Sequence, residues 1–349
     1  MIQPSFWRNR RVLLTGHTGF KGGWAAVWLH RMGAKVSGFA LPPDTVPNFF
    51  SLAGVADLLD HRIGDIRNRD AVAAALRECE PEIVFHMAAQ PLVRRSYAQP
   101  LETFATNIMG TAHLLEAVRR YPGVRAAIIV TSDKCYANDE SGRAFREADA
   151  MGGNDPYSSS KGAAELVTAA YARSYFPSGG IASARAGNVI GGGDWSEDRL
   201  VPDIIRSLQA GRPIALRHPQ AVRPWQHVLE PLAGYLLLAQ QVAQGGDVSG
   251  GWNFGPPADD MKPVAELARV ACSCWGKSGT FLPAGLPSPK REAGMLVLDS
   301  AKARERLGWR PRWNLEGAVA KTMDWYRAHF EGADMRAHTL TQIDAYEHS

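Results

Sequence analysis

Through the first half of the chain, short and almost wholly apolar runs alternate with longer amphipathic stretches. Val12-Leu13-Leu14, Lys35 to Phe39, Glu82 to Met87 and Ala126 to Val130 each read as a strand. Runs so continuously apolar are expected where helices cover both faces of a parallel sheet. Trp24 to Met32 and Asn107 to Arg119 read as helices between them. Strand–helix alternation from the start predicts an α/β fold, a Rossmann-type doubly wound parallel sheet. After about Gly187 the pattern loosens. Gly191-Gly192-Gly193 and Pro202, Pro213, Pro219 and Pro224 mark long loops, with Ile204 to Ala210 and Leu229 to Val242 as helices among them. This predicts a smaller α/β lobe that interrupts the sheet domain. The expected division gives residues 1–188 and about 222–256 to the sheet domain, and 189–221 and 257–349 to the lobe. The tail from about Gly332 has little apolar periodicity and reads as a loosely held helix.

Composition narrows the function. A chain of 349 residues, 45% hydrophobic and 21% charged, is an ordinary globular protein. The net charge of +4 is small, with Lys and Arg interleaved among Asp and Glu, which argues against a nucleic-acid partner. It suits a small polyanionic substrate. Four irregularly spaced cysteines, Cys79, Cys135, Cys272 and Cys274, give neither a disulfide framework nor a metal site. The N-terminus lacks a signal-peptide core and no run spans a bilayer, so a cytoplasmic location is expected.

Candidate chemistry begins at Thr15-Gly16-His17-Thr18-Gly19-Phe20-Lys21-Gly22, between the first strand and the first helix. A dinucleotide pyrophosphate needs a tight turn there, close backbone approach and free N–H groups at a helix start. Gly16, Gly19 and Gly22 meet those needs, and the turn passes through Phe20. The second strand ends in Phe39-Ala40-Leu41-Pro42-Pro43, with Asp44 beyond two prolines and no arginine to receive a 2′-phosphate. NAD is therefore expected over NADP. His17 and His86 read as structural or hydrogen-bonding residues, and no metal is expected.

Tyr157 and Lys161 lie four residues apart in a stretch that reads as helix, so both face one side. An ammonium beside a phenol favours the phenolate, a base suited to taking a hydroxyl proton. The pair follows a fifth strand that runs into Thr131-Ser132-Asp133-Lys134.

The G-x-x-G-x-x-G spacing, the Tyr–Lys pair and the strand-end serine resemble the extended short-chain dehydrogenase/reductases. Val130-Thr131-Ser132-Asp133-Lys134-Cys135-Tyr136 is similar to the catalytic segment of their nucleotide-sugar 4,6-dehydratases, with Lys134 at a position usually held by Glu. That Asp-Lys variant resembles the branch that acts on CDP-glucose. The likeness extends over Gly16–Trp24, His86–Tyr97, Gly187–Asp203 and Arg223–Leu229. It implies Ser132, Asp133, Lys134, Tyr157 and Lys161 as catalytic residues, with CDP-glucose as substrate. Lys134 has a second reading, as an ion-pair partner of Asp133 alone.

The same resemblance implies further contacts. Gly16, Gly19, Phe20, Gly22, Ala88, Ala89, Gln90, Tyr157 and Lys161 would hold NAD. Asp65 and Ile66 would contact adenine, unless Asp65 is a helix N-cap. Asn107 would open a helix and support the site on the cofactor side, unless it is an ordinary polar helix residue. Asn188 and Arg223 would bind the substrate diphosphate, Leu200 and Val201 would cover the base, and Glu292 would bind the nucleotide ribose. Arg94 and Arg95 either reach phosphate or form a solvated pair. Relatives pair through a four-helix bundle from about residues 100–120 and 155–175, implying a homodimer or homotetramer. A 4-epimerase, a 4-ketoreductase and a non-catalytic dinucleotide sensor share most of these features, but they do not need Asp133-Lys134.

Overall fold

The computed structural model describes residues 1–276, 280–283 and 295–349. Seven parallel strands form its central sheet: β1 (Arg11–Thr15), β2 (Lys35–Ala40), β3 (Asp60–Ile63), β4 (Ile83–His86), β5 (Ala126–Val130), β6 (Ile181–Ala186) and β7 (Gly250–Phe254). Their spatial order is β7-β6-β5-β4-β1-β2-β3, so the chain winds outward from β1 in both directions. The crevice beyond the carboxyl ends of β1 and β4 is the switch point where such sheets bind ligands.

Side chains alternate across the sheet, as period-two geometry requires. Val12, Leu14, Ile83, Phe85, Ile128 and Val130 join one buried cluster; Leu13, Val84, Ala127 and Ile129 join another on the opposite face. The second face is covered by α2 (Arg69–Cys79), α5 (Gly110–Arg120) and α6 (Pro156–Tyr175). Before α5 the chain forms α3 (Val93–Ala98), α4 (Pro100–Phe104) and a π-turn (Ala105–Met109). The helical run therefore starts earlier than the sequence suggests. Pro100 supplies the first turn, and Asn107 lies in the π-turn rather than opening a helix.

On the first face lie α1 (Phe20–Arg31) and α8 (Leu229–Ala243), preceded by α7 (Leu200–Gln209) and followed by α9 (Val264–Trp275), α10 (Leu315–Phe330) and α11 (Met335–Glu347). The tail is firmly docked, against expectation. Met335, Ile343 and Tyr346 are buried, Trp28 on α1 donates to Glu347 at 2.8 Å, and Arg31 pairs with Asp344 at 2.6 Å. Aromatic burial and ion pairs replace the missing aliphatic stripe. Among the described residues no helix is long and apolar enough to cross a membrane.

Candidate active site

A cleft of about 590 Å³ opens at the carboxyl ends of the strands. The glycine turn forms its floor. Gly16 adopts φ +78°, and a Cβ there would stand 2.7 Å from the Ala88 nitrogen. A Cβ on Gly22 would run into the Gly16 carbonyl oxygen. Gly19 caps α1 without any side-chain acceptor, which leaves first-turn amides for an anion.

Beneath the floor, Thr15 Oγ1 accepts from the amides of Met87 and Ala88, both at 3.2 Å. Its proton therefore goes to His86 Nδ1 at 2.8 Å. That leaves His86 Nε2 to donate to Thr111 Oγ1 at 3.2 Å, while Thr111 donates to the Asn107 carbonyl at 2.7 Å. His86 is buried, and burial pushes its pKa down to about 3, so it stays neutral in this relay. His17, also buried, bonds His61 at 2.7 Å.

The π-turn aims Asn107 at the end of β4. Its Oδ1 accepts from Gln90 N at 2.8 Å, and its amide donates to Gln90 O at 3.1 Å and to Ser160 Oγ at 2.9 Å. One buried side chain thus ties the cofactor side of the cleft to the catalytic helix. Ser96 on α3 makes a second tie, accepting from Tyr157 N at 3.1 Å.

Helix α6 begins at Pro156 behind the N-cap Asp155, which accepts from Ser158 N at 2.9 Å. This start puts Tyr157 in the first turn, with its side chain and that of Ser132 both lining the cleft. Burial pushes the Tyr157 phenol up to about 12. Lys161, one turn on, is drawn down to about 8 by burial and lies 3.4 Å from the Val130 carbonyl.

Ser132 caps a short 3₁₀ turn (Asp133–Cys135), accepting from Lys134 N at 3.2 Å and donating to Asp133 Oδ1 at 2.9 Å. Asp133 is 2% exposed and its Oδ2 has no partner. The carboxylate is turned to Ser132, not to Lys134, and both side chains line the cleft.

The remaining expected contacts spread along the same cleft. Phe20, Asp65, Ile66, Ala89, Asn188, Leu200, Val201 and Arg223 line it. Asp65 is not a helix cap; Asn68 caps α2, and Asp65 binds Arg67 at 2.6 Å. Asn188 Oδ1 is buried without a partner. Arg94 pairs with Asp198 at 3.6 Å and Arg95 with Asp44 at 3.2 Å, so neither is a freely solvated cation. Glu292 lies outside the described residues.

Sequence reasoning missed three cleft residues. Lys21 stands 5.7 Å above the Tyr235 ring, and burial lowers its pKa to about 7. Arg199 pairs with buried Asp194 at 2.9 Å. Arg217 binds Asp198 at 2.6 Å. Lys21 could have been noticed as a cation inside a glycine turn, and Arg199 as a cation five residues after Asp194; Arg217 carries no local signal.

Sheet order, glycine turn and Ser–Tyr–Lys cluster together define a dinucleotide-dependent enzyme of the short-chain dehydrogenase/reductase class. The chain belongs to the NAD dependent epimerase/dehydratase family, whose model matches residues 12–253. It is 48% identical to the CDP-glucose 4,6-dehydratase of Salmonella typhimurium, covering 99% of this chain and 98% of that one. It is 28% identical to a dTDP-glucose 4,6-dehydratase of Xanthomonas campestris, over 90% and 92% of the two chains. Among solved structures, Thermus thermophilus UDP-glucose 4-epimerase in complex with NAD superposes with a TM-score of 0.79 at 26% identity, covering 93% of this chain and 99% of that one. NAD is the cofactor of this family, and the glycine cradle fits it, because any Cβ at Gly16 or Gly22 would occupy the space of the close backbone approach.

Proposed function

We propose that this chain is a CDP-glucose 4,6-dehydratase, converting CDP-glucose to CDP-4-keto-6-deoxyglucose and water. The observation that carries the reading is the end-to-end likeness to the Salmonella enzyme at 48% identity. The fold alone would not separate a dehydratase from an epimerase. Asp133 and Lys134, lining the cleft beside Ser132, are what an elimination needs and an epimerisation does not.

The C5 hydrogen of glucose is not acidic until C4 becomes a ketone. Bound NAD supplies a reversible hydride acceptor, so that the C4 hydride is stored and returned to C6. Tyr157 takes the C4 hydroxyl proton, and Ser132, lining the cleft beside it, orients the C4 oxygen. Lys161, as ammonium, favours the tyrosinate and holds the cofactor ribose. Lys134 removes the C5 proton. Asp133, whose Oδ2 has no other partner, serves as the acid for the departing C6 hydroxyl. Asn188 and Arg223 receive the diphosphate, a planar guanidinium being suited to two phosphate oxygens. Leu200 and Val201, in the first turn of α7, cover the base.

Residues 1–188 and about 222–256 carry the cofactor in this reading, and 189–221 and 257–349 serve the sugar nucleotide. The enzyme works as a cytoplasmic homo-oligomer.

The test incubates the protein with CDP-glucose, dTDP-glucose, UDP-glucose and GDP-mannose in heavy water and follows product mass. Loss of one water from CDP-glucose alone, with one solvent deuterium gained, is the expected result. Loss from another nucleotide overturns the substrate, and no loss from any overturns the dehydratase. Lys134→Met should keep C4 oxidation and abolish deuterium exchange at C5; undiminished exchange would remove Lys134 from the base role.

A further inference from the structure

Behind the catalytic turn lies a buried ion pair that the mechanism above does not use. Glu165 on α6 and Arg185 on β6 are 4% and 5% exposed and meet at 2.7 Å. Glu165 accepts two further hydrogen bonds, from Thr131 Oγ1 and from Ser183 Oγ at 2.6 Å. Arg185 donates from its other terminal nitrogen to the Tyr136 hydroxyl at 2.7 Å and to the Glu147 carbonyl at 3.2 Å. Tyr136 passes the chain to Asn253 Oδ1 at 2.7 Å, and Asn253 is anchored on the carbonyls of Phe145 and Asp299.

Two features of this network are not explained by stability. A buried ion pair is often no better than hydrophobic residues of the same volume, because desolvation offsets the attraction. The side chains it holds are also selective. Thr131 immediately precedes Ser132, and Tyr136 follows Lys134 by two residues, so the network grips both ends of the Ser132-Asp133-Lys134 segment. Glu165 in turn lies four residues after Lys161, which lies four after Tyr157, so the three share one face of α6.

The charges around Lys161 give the network an electrostatic role as well. From α1, Lys21 opposes its charge. From β4, His86 is held neutral by burial. Beyond β5, Cys135 is kept as a thiol by its burial, while Asp133 faces Tyr157 and Lys21. Glu165 is the principal opposite charge on Lys161, counteracting the desolvation that draws the ammonium down. Arg185 holds that carboxylate on its far side.

We infer that Glu165, clamped by Arg185, is a positioning residue that locks the Ser132–Lys134 turn against α6 and keeps Lys161 in its charged form. The catalytic consequence rests on the dehydratase reading, whereas the charge on Lys161 does not. The experiment therefore reads Lys161 directly, by NMR titration of lysine-labelled, substrate-free protein, with Lys161→Met to assign its resonance. The wild-type midpoint is expected at about 8. Glu165→Gln should lower it by about one unit, the scale of a nearby opposite charge, and Glu165→Asp should leave it near wild type.

An unchanged midpoint in Glu165→Gln overturns the electrostatic role. An equal fall in Glu165→Asp also overturns it, since shape and not charge would then be responsible. Should the single glutamine variant fail to fold around a bare Arg185, Glu165→Gln/Arg185→Gln should lower the midpoint by a smaller amount, since losing the more distant Arg185 cation works the other way, and an unchanged or raised midpoint there overturns the role. In turnover of CDP-glucose, the alkaline limb of kcat should move down with the Lys161 midpoint. A wild-type enzyme without dehydratase activity would defeat the functional reading and leave the NMR result standing.

Discussion

The catalytic phenol starts from an unfavourable position. Burial holds Tyr157 at about 12, and Lys161, whose charge must assist it, has itself been brought down to about 8. Activity in the proposed reaction should therefore fall as pH rises through about 8, where the ammonium is lost, rather than persist to the ordinary lysine range. Tyr157→Phe removes the proton acceptor while keeping the ring in its pocket. Its kcat should drop by about 10²–10⁴-fold with NAD binding retained, as steady-state kinetics and cofactor titration would establish; full activity would exclude the general-base role. Tyr157, Lys161 and Ser132 were legible because their signal is local: a spacing of four and a strand end. Glu165 was not, because it acquires meaning only from Ser183 and Arg185, which lie 18 and 20 residues further along the chain.

At the level of elements, the glycine turn is the most constrained piece of the cleft. Gly16→Ala places a side chain on a left-handed residue, at a cost of about 1–2 kcal/mol, and drives its Cβ against the Ala88 nitrogen. The expected outcome is a folded protein whose NAD affinity falls at least about tenfold, read by calorimetric titration. Unaltered affinity would mean that the close approach of β1 and β4 does not shape the cradle. The C-terminal helix offers a different test. Glu230 on α8 is fully buried, accepting from the amides of Arg312 and Trp313 at 3.1 and 2.8 Å and from the Tyr346 hydroxyl at 2.7 Å. Burial nevertheless raises its pKa to about 7. An acid raised on folding stabilises the native state below its unfolded pKa and loses that contribution as pH rises through the folded one. Between about pH 4.5 and pH 7 the wild-type Tm should thus decline through Glu230, by an amount near 3 kcal/mol in stability. Glu230→Gln should flatten that part of the profile; parallel Tm curves for the two proteins would refute the assignment. The tail misled sequence reading because α11 is held by Tyr346, Trp28 and ion pairs rather than by an aliphatic stripe. The helix start at Pro100 was hidden for a similar reason, since the π-turn breaks the 3.6-residue period at Asn107.

For the molecule as a whole, the parallel sheet was plain from apolar runs, whereas the second half depends on loops and aromatic contacts that leave no period to read. The surface retains one feature that the fold of a single chain does not account for. Leu101 and Met109 in the helical run before α5, and Leu166 on α6, are 81%, 51% and 61% exposed. That run packs against α6, so these residues belong to one helical layer over the sheet. Large apolar side chains grouped in this way mark an association surface more often than scattered ones do. A twofold pairing of the layer would bury these residues from both copies and form a four-helix bundle, since a symmetric dimer presents the same patch from both sides. The same α6 carries Tyr157 and Lys161 in its first two turns, so the bundle would also brace the catalytic helix. Leu166→Glu sets a charge on that surface without touching the cleft. Sedimentation velocity is expected to show an oligomer for the wild type and a smaller species for Leu166→Glu, with the far-ultraviolet spectrum of the fold unchanged. An oligomer of undiminished size in Leu166→Glu and in Leu101→Glu would place the contact on another face.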